Sequence, residues 1–574
     1  MTRSLLSLVI LSASNPVFAY ELWGTGPLAN ASVQVLIDSE LRYHTMGLDD
    51  PGRHVDGPFE LFPGMPVHDY FEQVGRMNLQ VTKEQLSIGL QVDEVALFSN
   101  RYVLDGETQQ SVPLYDDSIP FPVDNAYFLL EKVFLKNSWE RLELTVGDTY
   151  GSFGRGMALN IVKNTDIDVD TSIRGAKGVY RLDDFELTMI SGVTNQQQIS
   201  QDNPNYGISK NVAHMVSGGR VDWFGPVSLG AHGVVYKFDR ALEPSYAAPI
   251  TRYGNDLDVA VLGANIEANG VLGLDIYAEG DVYDYRATEM TDGADSLLGW
   301  AGYTSVAAYP GMAVILLEAK ATKDTERITT FSTLEGWEPA NVPTLEYERV
   351  ITEDGAAAVN SNDIAGARLR VDYAAVPGEL TPYVAASYLL DNDTDGLHFN
   401  DSPETIVHPV AGVEWQKNHY VVQLNAGHRI DQREDASEGA DRMTHLDATI
   451  HIPLFGEESL EIDLDGKKFE WGNNEYQQTD FTEMANALAW HHGEKWIYVL
   501  YQDWTDNPLV QSEGNLGFID PNLYGALEAQ YKPSSNMTVK AFYGAYKAGI
   551  RCSGGQCRSL PGFKGGRVSL NGVF

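Results

Sequence analysis

Asp391-Asn392-Asp393-Thr394-Asp395-Gly396 sets three carboxylates at alternate positions and follows them with a glycine that allows a sharp turn. A calcium loop begins in this way, because a hard cation takes several carboxylate and carbonyl oxygens from one tight turn. The pattern then departs: the twelfth position is Ser402, and Glu404 lies two residues further on. Calcium at Asp391, Asp393 and Asp395 is therefore the one cofactor the chain suggests, as a structural ion in a loop. A solvated acidic turn explains the same residues.

A second stretch, Gly147-Asp148-Thr149-Tyr150-Gly151-Ser152-Phe153-Gly154-Arg155-Gly156-Met157, is unusually rich in glycine for a strand. Glycines permit bends and close backbone approach. Asp166, Asp168 and Asp170 follow on one face if extended, and then Arg174. Folded into a lumen, 150–172 would form a constriction in which Arg155 and Arg174 face the aspartates, a mixed charge lining of the kind that sets pore selectivity. A bulged strand with structural ion pairs is the competing account. Cys552 and Cys557 frame Ser-Gly-Gly-Gln and can close a small disulfide loop in an oxidising compartment. The 13 histidines are scattered, and neither HExxH, GxSxG, a Walker loop nor GxGxxG after a strand occurs. Catalysis is not expected.

The elements that must position these groups are strands. Leu272, Leu274, Ile276 and Ala278 alternate with Gly273, Asp275, Tyr277 and Glu279, then Asp281. Leu460, Ile462 and Leu464 alternate with Glu461, Asp463 and Asp465, and Leu369 and Val371 with Arg368, Arg370 and Asp372. Period two puts apolar groups on one face and charges on the other. Short polar joints, such as Asp183-Asp184, Gly225-Pro226, Pro310-Gly311, Gly493-Glu494 and Pro533-Ser534-Ser535, alternate with long connections, among them 45–71, 98–124, 324–362 and 549–562. That rhythm is the one of outer-membrane barrels, with short periplasmic turns and long external loops. It predicts an all-β fold, a single large antiparallel transmembrane barrel of about 24 strands, range roughly 22–26. Trp223, Tyr236, Tyr283, Trp415, Tyr498 and Trp504 are candidates for interfacial girdles.

The ends agree. Residues 1–19 read as a signal peptide, with Arg3, an apolar run from Leu5 to Leu11, and Val17-Phe18-Ala19 at the break. A periplasmic segment 20–30 and a barrel over 31–574 follow. The chain closes on an alternating strand with a terminal Phe574, which resembles the signature that hands outer-membrane barrels to their assembly machinery. After residue 19 no apolar run reaches the about 18 residues of a helical span. With 80 acidic against 40 basic side chains, a net charge of −40, nucleic acid is excluded as a partner. Lipid and lipopolysaccharide of a Gram-negative outer membrane remain, with both termini periplasmic.

The segment GDTYGSFGRGMALNIVKNTDIDVDTSIRGAKGVYR resembles the GD-x-Y-x-x-FG-x-G and D-x-x-IRG stretch of an uncharacterised family of outer-membrane barrels. The likeness implies fold and location, with no activity attached. Two functions suit such a barrel. One is a channel or porin whose inward Asp275, Glu279, Asp281, Glu461, Asp463 and Asp465, opposed by Arg368 and Arg370, favour cationic or neutral solutes. The other is a plugged barrel that anchors a surface or periplasmic protein complex.

Overall fold

The computed structural model describes residues 20–21, 31–45, 70–98, 102–104, 111–113, 126–164, 170–195, 214–239, 256–286, 296–325, 340, 342–343, 363–391, 405–432, 440–470, 480–507, 515–516, 519–547, 549–553, 556–560 and 562–574. Among them there is no helix. The main sheet counts 25 strands. One of these, the two-residue Tyr20–Glu21, only extends the start of the first long strand, so 25 minus 1 leaves 24. Each pairs antiparallel with its chain neighbours, from Ser32–His44 through to Phe563–Val573. These two also pair with each other, from Leu36↔Val573 to His44↔Gly565. The ring is therefore closed, and no edge is left with unpaired backbone groups that would cost several kcal/mol each in hydrocarbon.

Period-two alternation decides which side chains face which way. Leu262, Leu298, Leu527 and Tyr543 are 62–73% exposed, an apolar outer surface that suits lipid and not water. Glu40, Arg42, Glu72, Gln91, Asp93 and Lys132 are buried on the opposite face, where Arg42 pairs with Glu40 and Gln91 donates to Asp93. The joints at one rim are short. Asn418-His419, with φ of 49° and 72°, gives the two consecutive left-handed residues of a type I′ turn, whose twist matches that of the flanking strands. Ser32 and Phe574, the two ends of the barrel, lie at this same rim: Ser32 faces Thr82, two residues from the turn after Lys83, and the Phe574 amide donates to Val35 O. The five sequence-read joints all fall at or within a residue of such turns.

The aromatic expectation needs correcting in part. Tyr498 is outward and stacks with Trp490 and Trp496, as an interfacial residue does. Tyr236 and Tyr283 are fully or almost fully buried on the inner face. Parity explains it: Val235 and Val282, one residue earlier in each case, are exposed on the outside.

Candidate functional site in the barrel interior

Thr149, the last residue of the strand Leu142–Thr149, is the register partner of Ile173 in the next strand, Ser172–Leu182. A tight turn would have joined the two strands, yet residues 150–171 intervene. They open as a small hairpin, Gly151–Phe153 against Leu159–Ile161. Phe153, Met157, Leu159 and Ile161 are buried, in one apolar cluster with Ile190, Val216, Val259 and Tyr285 of four wall strands. Those four share a face; Met189, Val221, Leu262 and Val282 of the same strands are exposed on the other. A segment that touches the first set lies inside the barrel.

Polar bonds fix the hairpin tip. Tyr283 donates its hydroxyl to Met157 O at 3.0 Å, and Tyr236 donates to Ala158 O. The Arg155 amide donates to Glu279 Oε2 at 2.7 Å. Gly154 adopts φ +57°, and a Cβ on it would stand 2.0 Å from Glu279 Oε1, so only glycine fits this approach. The Arg155 side chain remains exposed, its guanidinium 4.6 Å from the centre of the Tyr277 ring, a cation–π contact.

The return arm is held by charge. Asp170 Oδ1 pairs with Lys132 Nζ at 2.7 Å and accepts the Tyr150 hydroxyl, while Oδ2 takes Lys163 Nζ at 2.9 Å. Lys132 also donates to the Asp170 carbonyl, and Arg76 stands 3.8 Å away, itself paired with Asp93. Burial pushes the Asp170 carboxyl up; Lys132, Lys163 and the Tyr150 hydrogen bond outweigh it and hold the group below its ordinary value. Burial, with the neighbouring carboxylate, raises the Tyr150 hydroxyl, so it stays a donor.

A depressed folded value means the clamp is complete above the unfolded carboxylate value, about 3.9, and is lost as pH falls through the lower folded one. Trypsin digestion of the folded barrel is therefore expected to leave Lys163 intact at neutral pH. Pepsin, which cuts in acid, should open the segment at Leu159 to Ile161 only as the pH is lowered below the ordinary carboxylate range; resistance that does not change with acid pH would refute the clamp.

The sequence-derived residues distribute as follows. Arg155 and Asp170 belong to the inward segment, but Arg155 meets Tyr277 and not the aspartates. Arg174 is corrected: it lies on the strand face opposite the buried Ile173, where its guanidinium pairs with Asp148 at 3.1 Å and Glu131 O at 2.8 Å. Asp148 gathers further donors there, from Val133 N, Ser172 Oγ and Asn195 Nδ2. Asp166 and Asp168 lie outside the described residues. Asp275 faces inward at the short-turn rim, where it binds Gly270 N and the Tyr309 hydroxyl. Glu279 and Asp281 are buried beside His232. Arg368 pairs with Glu318, and Arg370 with Asp372 while stacking on Tyr383. Glu461, Asp463 and Asp465 face inward, half-buried, near His491, Thr449 and Lys467 respectively. Asp391 ends the strand Leu380–Asp391; Asp393 and Asp395, hence the calcium expectation, lie outside the described residues. Cys552 and Cys557 are register partners in the hairpin Gly549–Ser553/Gln556–Leu560.

Sequence reading missed Arg76, Lys132, Tyr150, Lys163 and His232 as site residues. The inward parity of Arg76, Lys132 and His232 was legible, but the register that brings strands from distant parts of the chain to one segment was not.

A family of unknown function, DUF6029, matches residues 67–216, a stretch that contains the inward segment and the Lys132 and Arg76 that meet its return arm, but not Tyr236, Glu279 and Tyr283, which hold its tip. No curated protein sequence matches the chain. Among solved structures the chain is similar to the siderophore receptor PirA from Pseudomonas aeruginosa, at 8% identity and a TM-score of 0.45, covering 94% of this chain and 80% of that one. It is similar to the P pilus usher PapC translocation pore at 9% and 0.40, covering 94% and 99%. It is also similar to Pseudomonas aeruginosa OpdK, solved with vanillate, at 13% and 0.34, covering 73% and 97%.

Proposed function

We propose that this barrel is an outer-membrane channel that passes small hydrophilic solutes, cationic or neutral, through a lumen narrowed by residues 150–171. The observation that carries the reading is the width of the ring against the size of what enters it. Barrels of about 16–18 strands already leave an aqueous channel. A ring of 24 is wider, and the segment 150–171 is far shorter than the plug domain of more than about a hundred residues that blocks 22-stranded transporters. Half-buried Glu461, Asp463 and Asp465 leave the opposite wall acidic, which favours cations. Export by the N-terminal signal, delivery by the barrel-assembly machinery, contact with lipopolysaccharide and periplasmic termini complete the proposal.

One observation favours a plugged anchor for a protein complex instead: the hairpin is packed as a protein core is, and Ala340 of a second connection joins its cluster. Planar-bilayer recordings of the folded barrel under a salt gradient separate the two. Discrete cation-selective steps are expected. A silent bilayer containing verifiably folded barrel would reject the open channel and leave the anchor.

A further inference from the structure

Beneath the hairpin tip lies a group of buried side chains that conduction does not require. Glu279 and Asp281 stand two residues apart on the inner face of Leu274–Arg286, and His232 reaches them across one intervening strand. His232 Nε2 is 2.6 Å from Asp281 Oδ1 and 3.8 Å from Glu279 Oε1, with all three side chains sealed from solvent. One potential ligand atom from each lies within 4.8 Å of the other two. The strand between them makes this possible. Gly263 is the register partner of both His232 and Asp281, and a Cβ there would stand 1.5 Å from Asp281 Oδ1 and 2.6 Å from His232 Nε2.

The carboxylates are only half satisfied. Glu279 Oε2 accepts from the Arg155 amide and the Tyr277 hydroxyl, whereas Glu279 Oε1 and Asp281 Oδ2, both buried, accept no hydrogen bond. Two adjacent buried acidic groups that each keep an oxygen without a hydrogen bond call for a cation or a shared proton. We propose that His232, Glu279 and Asp281 form a binding site for a single divalent metal ion of the zinc type. One imidazole nitrogen and two carboxylates are a three-ligand set that zinc accepts, with a fourth position left over. Calcium and magnesium want more oxygens than the group supplies.

Arg220 Nη1 stands 3.2 Å from His232 Nδ1 and can only donate, so without the ion the ring proton sits on Nε2 and goes to Asp281. The ion replaces that proton at Nε2 and the ring carries its proton on Nδ1. The Arg220 guanidinium then has to turn its Nη1 off the ring, carrying with it the Asp222 carboxylate that it grips through Nε and Nη2. Two hydrogen bonds, Arg220 to Nδ1 and Nε2 to Asp281, are exchanged for three metal–ligand bonds. Because Glu279 also holds the Arg155 amide, the ion would lock the hairpin tip to the wall.

The test is to fold the full chain with Zn2+, dialyse it and measure metal content per folded barrel by mass spectrometry, with Co2+ as a spectroscopic substitute. About one Zn2+ per barrel is expected, reduced at least tenfold in Asp281→Asn and His232→Gln, and unchanged in Asp463→Asn, a lumenal acid elsewhere. Co2+ in the wild-type protein should give the intense visible bands of a low-coordinate nitrogen–oxygen site, a readout that stands even if a variant does not fold. A folded wild-type barrel that retains less than a tenth of an equivalent would overturn the site, as would retention that Asp281→Asn leaves unchanged. A weak octahedral Co2+ spectrum would do the same. These outcomes are independent of whether the lumen conducts.

Discussion

Replacing residues 150–171 by a turn of four residues is expected to raise single-channel conductance at least about twofold while leaving the barrel folded. The wall does not need the segment. Thr149 and Ile173 are register partners already, so four new residues followed by Ser172 make a five-residue joint that closes the hairpin without strain, and none of the pairings that close the main sheet involves residues 150–171. What is lost is the apolar packing of Phe153, Met157, Leu159 and Ile161 on the inner wall, together with the bonds of the tip. Lys132, left without Asp170, is then hydrated by lumenal water and is not stranded. An unchanged conductance in a barrel shown to be folded would mean that the segment does not narrow the path, and the site would have to be sought elsewhere.

Asp170→Ala is the sharper perturbation, because it removes one charge and leaves the protein around it in place. Lys132 is 5% exposed and Arg76 lies close by; with the carboxylate gone, these buried cations face each other without the charge that joined them. Breaking one partner out of a buried ion pair costs about 3–5 kcal/mol. A closed sheet of 24 strands has no cheap way to open, so the cost is met locally, by release of the return arm. The expected result is rapid tryptic cleavage after Lys163 at neutral pH and flickering in single-channel records, with the thermal unfolding of the barrel little changed. Lys132→Met added to Asp170→Leu restores an uncharged pair of similar volume and should recover much of the protease resistance, since well-packed apolar substitutes for buried pairs are commonly tolerated. A single variant as resistant as the wild type would show that the arm is held by packing and not by charge.

Much of the architecture was legible because a membrane barrel obeys a local rule. Period two assigns every residue of a strand to lipid or lumen, and it placed Asp275, Glu279, Asp281, Arg368, Asp463 and their neighbours on the inner face without any knowledge of pairing. Turn chemistry did the same for the joints, where Asp183-Asp184 and Pro310-Gly311 each end one strand and start the next. Arg174 shows the limit of the rule. Its place on the strand was readable, but its face depends on where the inward segment hands back to the wall, and the parity of Ile173 reverses the expectation.

The sequence by itself determined the strand rhythm and the roughly 24-strand size, since these follow from side-chain period and turn chemistry over a few residues; it left the glycine-rich stretch open between a bulged strand and an inward fold. Only the tertiary structure decided the partners. Lys132 meets Asp170 across 38 residues, His232 meets Asp281 across 49, and Arg155 meets Glu279 across 124. Register across neighbouring strands sets each of these distances, and register is a property of the closed sheet: shifting one strand by a single residue would turn its charges out to the lipid. The whole ring, and no one strand, selects the pairing that keeps them in.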